Sequence, residues 1–331
     1  MNENITNKLS KVADFFKQKN VQNIIIVVLL LSMLIFSSWV RLQNLPLLVD
    51  STTGKNIPLA LDPFYFLRVA ETISESGNGL PMYDTMRYPS MNVGFSNEIL
   101  PQAIIFLHKV GEIFNKNITI QFVDIIAPVI FFILGMIAFF FLILVLTKSK
   151  WTAFISSMLL GIIPTYLYRT MAGFTDHEAI GMCAFFFTLL FYSLALKYFS
   201  KHEITNKISI ASISLGVLVG FFSAFTIACW GGVANFVFMI IPLSFVIFWL
   251  VQTQTKENVQ TNENDNDKNL PNFLMFYLTW FVSSILFGLI YGFNFLFLLS
   301  KVALSSSSLI CSFVLLFLII DFILIKFKDK L

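Results

Sequence analysis

Long apolar stretches divided by short polar breaks dominate the chain. A bilayer core of roughly 30 Å takes about 20 apolar residues in a helix. Stretches of that kind fall near 22–42, 124–147, 151–170, 180–198, 208–229, 231–251, 271–295 and 302–325. Each is predicted to be helical, because in lipid a lone segment satisfies its own backbone donors and acceptors only as a helix. The Trp230-Gly231-Gly232 turn divides the fifth span from the sixth. Two polar intervals interrupt the pattern. Residues 43–123 mix Pro, Gly, aromatic and acidic residues. A connection longer than about 15 residues is usually functional or disordered, and so many aromatics argue against disorder. Residues 252–270 are Asn-rich and aperiodic and read as a flexible linker. The expectation is an all-α polytopic membrane protein with about eight spans and a long first outer loop.

Composition strengthens this picture. Of 331 residues, 57% are hydrophobic and only 12% charged, where soluble domains carry about 25% charged residues. A water-soluble enzyme is excluded, and so is a disordered chain, whose signature is low hydrophobicity. A net charge of +3 gives no reason to expect a nucleic-acid partner. The placement of charge is more informative. Lysines gather at Lys8 to Lys19, Lys148 and Lys150, Lys197 to Lys207, Lys256 and Lys268, and Lys326 to Lys330. The short connections of the opposite side hold Arg169 and Lys301. By the positive-inside rule both termini are cytoplasmic in a multi-pass protein of the cell membrane. Residues 1–21 then form a cytoplasmic N-terminal segment and 22–331 the membrane domain. The first span has no small-x-small cleavage site and reads as a retained anchor. Cys183, Cys229 and Cys311 are scattered through apolar stretches and read as small buried hydrophobes.

Candidate chemistry lies in two clusters on the outer side. Asp62-Pro63-Phe64-Tyr65-Phe66-Leu67-Arg68 suggests a short helix on the membrane surface. Asp62 precedes proline and is biased toward an extended conformation. It reads equally as the N-cap of a helix with proline at its first position. The second cluster, Arg169 to Glu178, fills the outer loop at 171–179 between spans three and four. Asp176 and Glu178, two residues apart, would point the same way in an extended loop. Two adjacent carboxylates repel each other unless a cation lies between them, and oxygen ligands suit Mg²⁺ or Mn²⁺. A helix cap built by Thr175 or Asp176 explains the same residues. Arg169 could snorkel toward headgroups or donate bidentately to a lipid-linked phosphate. Asp321 lies deep in the eighth span and is expected to have a partner there. Asn117-Ile118-Thr119 matches the N-glycosylation acceptor pattern, which chance also produces.

Taken together, Asp-Pro-aromatic-aromatic-x-x-Arg in the first outer loop, Arg-x-x-Ala-Gly-Phe-x-Asp-x-Glu after span three, and Trp-Gly-Gly after span five resemble the oligosaccharyltransferase catalytic subunit. That is the Stt3/AglB/PglB family of GT-C-type membrane glycosyltransferases, and the likeness is to archaeal members above all. The resemblance implies transfer of a glycan from a dolichyl (polyprenyl) phosphate or diphosphate carrier to the Asn of N-x-S/T sequons in an acceptor protein. It implies Asp62, Asp176 and Glu178 as catalytic residues and ligands of Mn²⁺ or Mg²⁺, with Asp62 facing the acceptor amide and Arg169 near the carrier phosphate. The active site is then extracytoplasmic, in contact with membrane lipid. The family pattern also includes a C-terminal sequon-binding domain with a W-W-D-x-G-type motif, and none of the five Trp here are adjacent. The expectation is therefore an N-terminal membrane portion, either a fragment of a longer protein or a natural short form that works with a second polypeptide. Two rivals differ in what they require. A protein mannosyltransferase-like GT-C enzyme shows D-E in its first loop and lacks the second-loop D-x-E. A transporter or lipid-binding scaffold calls for charges at the bilayer midplane.

Overall fold

Helices make up nearly all of the computed structural model, which describes residues 18–76, 83–84, 91–92, 99–201, 208–257 and 270–327. Helix α1 (Lys19–Arg41) leads through a 3-10 turn at Leu45–Leu47 to α2 (Leu61–Ser76) and α3 (Ile99–Phe114). Between these two, Tyr83–Asp84 pairs antiparallel with Met91–Asn92. There follow α4 (Ile120–Thr147), α5 (Lys150–Ile162), α6 (Pro164–Arg169), α7 (His177–Lys201) and α8 (Ile210–Cys229). The remainder is α9 (Gly231–Glu257), α10 (Leu270–Ile290), α11 (Phe295–Leu299), a π-helical turn Ser300–Leu304, and α12 (Leu309–Phe327).

Among the described residues six helices, α1, α4, α7, α8, α9 and α10, are each long and apolar enough to cross a bilayer. The segments Phe295–Leu304 and Leu309–Leu324 make a seventh as a pair bent by 73°. The straight span predicted at 302–325 is thus broken. Ser305 to Ser308 turn the chain at the bend, where the Ser308 hydroxyl donates to the Ser300 carbonyl at 3.2 Å. The span predicted at 151–170 is also two helices. Ile163 is extended (φ −58°, ψ 122°) and Pro164 opens α6. Proline expels its predecessor from the helical region, yet its own fixed φ suits a first helical position. Helix α10, expected over 271–295, stops at Ile290, at a turn where Gly292 has φ +90°. Helix α9 continues to Glu257, so the start of the predicted 252–270 linker is helical. Residues 258–269 lie outside the described residues, as do 1–17, most of 77–98, 202–207 and 328–331.

The helices alternate in direction. Lys150 Nζ donates to Asn23 Oδ1, so the starts of α1 and α5 share one end. At the other end, the C-terminus of α1 meets the start of α4 and the α6–α7 connection: Ala172 N–H donates to Arg41 O at 2.9 Å, and Gly173 N–H to Ile125 O at 2.7 Å. The α8–α9 junction is at this end too, since His177 Nδ1 lies 3.2 Å from Cys229 O.

Packing depends on close approach as well as on bulk. A Cβ at Gly216 would overlap the Thr279 hydroxyl, and one at Gly220 the Ser283 hydroxyl. Four-residue spacing puts both glycines on one face of α8, which lets its backbone lie directly against α10. Trp280 and Tyr277 are fully buried beside this contact. Their polar atoms are satisfied, with Trp280 Nε1 donating to Ser223 Oγ at 3.0 Å and Tyr277 Oη to Cys311 O at 3.1 Å. The outside is apolar as well: Ile24, Ile35, Leu286, Phe313 and Leu316 are exposed, as expected of helices whose outer surroundings are lipid. All three cysteines are free and buried.

Candidate functional site

The second acidic cluster spans a helix start. Residues 170–176 form the turn between α6 and α7, and α7 begins at His177. Asp176 therefore stands before the helix and Glu178 in its first turn. The extended geometry expected for the pair does not hold, and the cap reading describes the backbone better. Asp176 Oδ1 accepts the His177 N–H at 2.7 Å. Acids at a helix start face the positive end of its dipole and its free N–H groups.

This turn is held from several sides. Arg41, wholly buried at the end of α1, donates through Nε to Thr170 Oγ1 at 2.8 Å. It also donates to Ser37 O and Gly161 O at 3.1 Å each. Its guanidinium lies 3.5 Å from the centroid of the Phe132 ring. Asn44 Nδ2 donates to Ala172 O at 2.7 Å, and Leu59 N–H to Gly173 O at 2.8 Å. Thr175 Oγ1 donates to Asp124 O at 2.6 Å. Gly173 has φ +82°, and a Cβ there would sit 2.7 Å from Leu48. Both the dihedral and the space demand glycine.

Asp62 lies in the first turn of α2 and is exposed, with Pro63 following. Asp62 is thus helical rather than extended and is not the N-cap; Pro63, third in α2, stands in the first turn, where its missing N–H costs no helical bond. One turn on, the Phe66 ring meets His177 edge-on at 4.8 Å between centroids. His177 reaches Cys229 O, and Trp230 packs against α7, where a Cβ on Gly181 would sit 2.8 Å from the Trp230 Cβ. All three sequence motifs thus meet around His177, the middle residue of the Asp176-His177-Glu178 run.

The charges are arranged unevenly. Arg169 Nη1 pairs with Glu178 Oε1 at 3.0 Å. Its guanidinium lies 4.7 Å from the Phe174 ring centroid. Glu178 Oε2 is buried without a hydrogen-bond partner. Among the described residues no three His, Cys, Asp or Glu side chains are assembled as a ready-made metal cage. The donor set still suits a hard divalent cation: the oxygens are carboxylate, and Glu178 Oε2 is an orphaned acceptor of the kind such an ion satisfies.

Below this turn lies a residue that sequence reasoning missed. Asp124, in the second turn of α4, is fully buried, and neither carboxylate oxygen has a partner. The neighbouring Thr175 hydroxyl is committed to the Asp124 backbone carbonyl. Nearby, Glu71 is held by Gln121 Nε2 at 2.6 Å. An acid so near the start of an apolar run was the available signal. Arg41 was missed in the same way, counted within the first apolar stretch rather than as the anchor of the turn. Asp321 sits half-buried on α12 and does interact within the fold. Asn117 is exposed, while Thr119 of its sequon caps α4 by accepting Phe122 N–H at 3.2 Å.

A family profile described as oligosaccharyl transferase STT3, N-terminal, matches residues 24–329. The chain belongs to the STT3 oligosaccharyl transferase family. It is similar to the dolichyl-phosphooligosaccharide-protein glycotransferase of Methanocaldococcus jannaschii, 21% identical over 276 residues, covering 75% of this chain and 30% of that protein. The fold resembles the Archaeoglobus fulgidus oligosaccharyltransferase in its apo form, with TM-score 0.63 and 19% identity over 91% of this STT3-family chain and 34% of that one. A second structure from Archaeoglobus fulgidus, its AglB oligosaccharyltransferase with an inhibitory peptide and a dolichol-phosphate, matches with TM-score 0.62 and 18% identity, over 91% of this chain and 34% of that one. The STT3-family chain thus spans about a third of the length of these relatives. Its membrane domain has the all-α GT-C architecture expected from the sequence.

Proposed function

We propose that this chain takes part in protein N-glycosylation, moving a glycan from a dolichyl (polyprenyl) phosphate or diphosphate carrier to the Asn of N-x-S/T sequons. The observation that carries the reading is the meeting of three distant motifs around His177, with Phe66 on one side and Cys229 and Trp230 on the other. Family membership supports it. The Archaeoglobus fulgidus oligosaccharyltransferase has structures tethered to an acceptor peptide with an NVT sequon and in complex with Zn and sulfate.

In this reading Asp62, Asp176 and Glu178 hold a divalent cation, Mn²⁺ or Mg²⁺. Bound there, such an ion supplies Lewis-acid stabilisation of charge developing on the departing phosphate. The chain's own residues set the conditions. Arg41, Asn44 and Leu59 hold the 170–176 turn rigid, so Asp176 and Glu178 keep their places. Asp62 is exposed at the start of α2 and accepts hydrogen bonds from the acceptor amide. Lysine placement supports an extracytoplasmic site, with the Lys148 and Lys150 end of the bundle in the cytoplasm.

The test is transfer to a sequon peptide in membranes carrying the full polypeptide. Asp62→Ala and Asp176→Ala are each expected to lower transfer by more than about 100-fold, beyond the usual effect of losing an outer partner of a metal ligand. Transfer at the wild-type rate by both variants would overturn the assignment.

A further inference from the structure

Arg169 does not face lipid headgroups alone. Its guanidinium is paired with Glu178 Oε1 at 3.0 Å while the other oxygen of that carboxylate is buried and unpartnered. The side chain stays 43% exposed and rests against an aromatic face, 4.7 Å from the Phe174 centroid and 5.8 Å from that of Tyr168. It therefore touches a carboxylate and aromatic rings at once, at the end of a long side chain that closes α6.

We propose that Arg169 is a stand-in cation on Glu178, exchanged for a divalent ion and thereby released to hold the phosphate of the lipid carrier. The proposal rests on the reading of Glu178 as a metal ligand. The physical reason is competition for one carboxylate. A divalent ion bound at Oε2 would lie within a few ångströms of the guanidinium on Oε1, and like charges so close in a half-buried site repel. The weaker, monovalent and tethered partner yields. A freed guanidinium presents a planar fork that matches phosphate oxygens two at a time. Phe174 and Tyr168 keep it near the site during the exchange, since arginine stacks well on aromatic faces. Linkage then requires reciprocity: a phosphate that draws Arg169 away leaves Glu178 open and tightens the metal, by the same factor with which the metal tightens the phosphate. Through Arg169, metal and carrier become mutually reinforcing.

Mn²⁺ binding to the purified full chain, followed by electron paramagnetic resonance with and without dolichyl phosphate, tests this. In the wild type the lipid is expected to tighten Mn²⁺ by about tenfold, within the usual range of coupling between sites. Arg169→Gln is expected to bind Mn²⁺ about tenfold tighter than wild type with no lipid present, and to lose the response to lipid. Arg169→Lys, which keeps the charge, is expected to return Mn²⁺ affinity toward the wild-type value. Unchanged or weaker Mn²⁺ binding by Arg169→Gln overturns the exchange while leaving Glu178 as a ligand. Equal Mn²⁺ affinity in wild type and Glu178→Gln removes the ligand assignment itself, and the exchange with it.

Discussion

Gly173 concentrates the demands of the site in a single position. Its φ of +82° is a conformation that an L side chain adopts only under strain, and its missing Cβ leaves room for Leu48 and Leu59. Gly173→Ala is expected to cost about 1–3 kcal/mol through backbone strain alone. It should also lower transfer activity while every acid and arginine remains in place. Thermal unfolding of the purified variant beside a transfer assay checks this, and a variant with normal stability and transfer would show that the turn tolerates a second geometry. Asp176, Glu178 and Arg169 were legible as candidates because charges are rare in this sequence. Asp124 and Arg41 were not, since burial and the absence of a carboxylate partner are properties of the folded neighbourhood.

Helices α8 and α10 illustrate how small residues decide contacts between apolar helices. Lipid tails are as apolar as leucine, so hydrophobicity alone does not draw two such helices together. Gly216 and Gly220 let the backbones approach, and Ser283 Oγ reaches Gly216 O at 3.4 Å. Gly220→Val would place methyl groups where the Ser283 hydroxyl and the Trp280 carbonyl already lie. The expected loss is about 1–3 kcal/mol of stability, as for other overpacked sites, read as a lower unfolding temperature in detergent. An unchanged unfolding temperature would mean that the two helices part without penalty. The spacing of these glycines was visible in the sequence, whereas the identity of the facing helix was not. The breaks at Pro164 and at Ser305 to Ser308 are similar. Apolar content suggested unbroken spans at 151–170 and 302–325, because hydropathy counts residues and is blind to the backbone at one proline or in a serine run.

At the scale of the whole molecule, the helices alternate so that the lysines of 148 and 150 lie at one end and the D-x-E turn at the other. This arrangement predicts which end meets the cytoplasm. The native cysteines are buried, so an introduced cysteine can be read against a quiet background. In intact cells a membrane-impermeant thiol reagent is expected to label Thr53→Cys, in the exposed turn before α2, and to spare Lys148→Cys until the membrane is opened. The reverse pattern would invert the topology and put the acidic turn inside. The long apolar runs and the lysine bias needed nothing beyond the chain's own order, because the exclusion of backbone polar groups and charge from lipid acts on each segment separately. The convergence of Phe66, His177, Cys229 and Trp230, the burial of Arg41 and Asp124, and the pairing of Arg169 with Glu178 were decided by the tertiary structure alone. Each joins residues on different helices, and which helices become neighbours follows from close packing between them rather than from any local pattern.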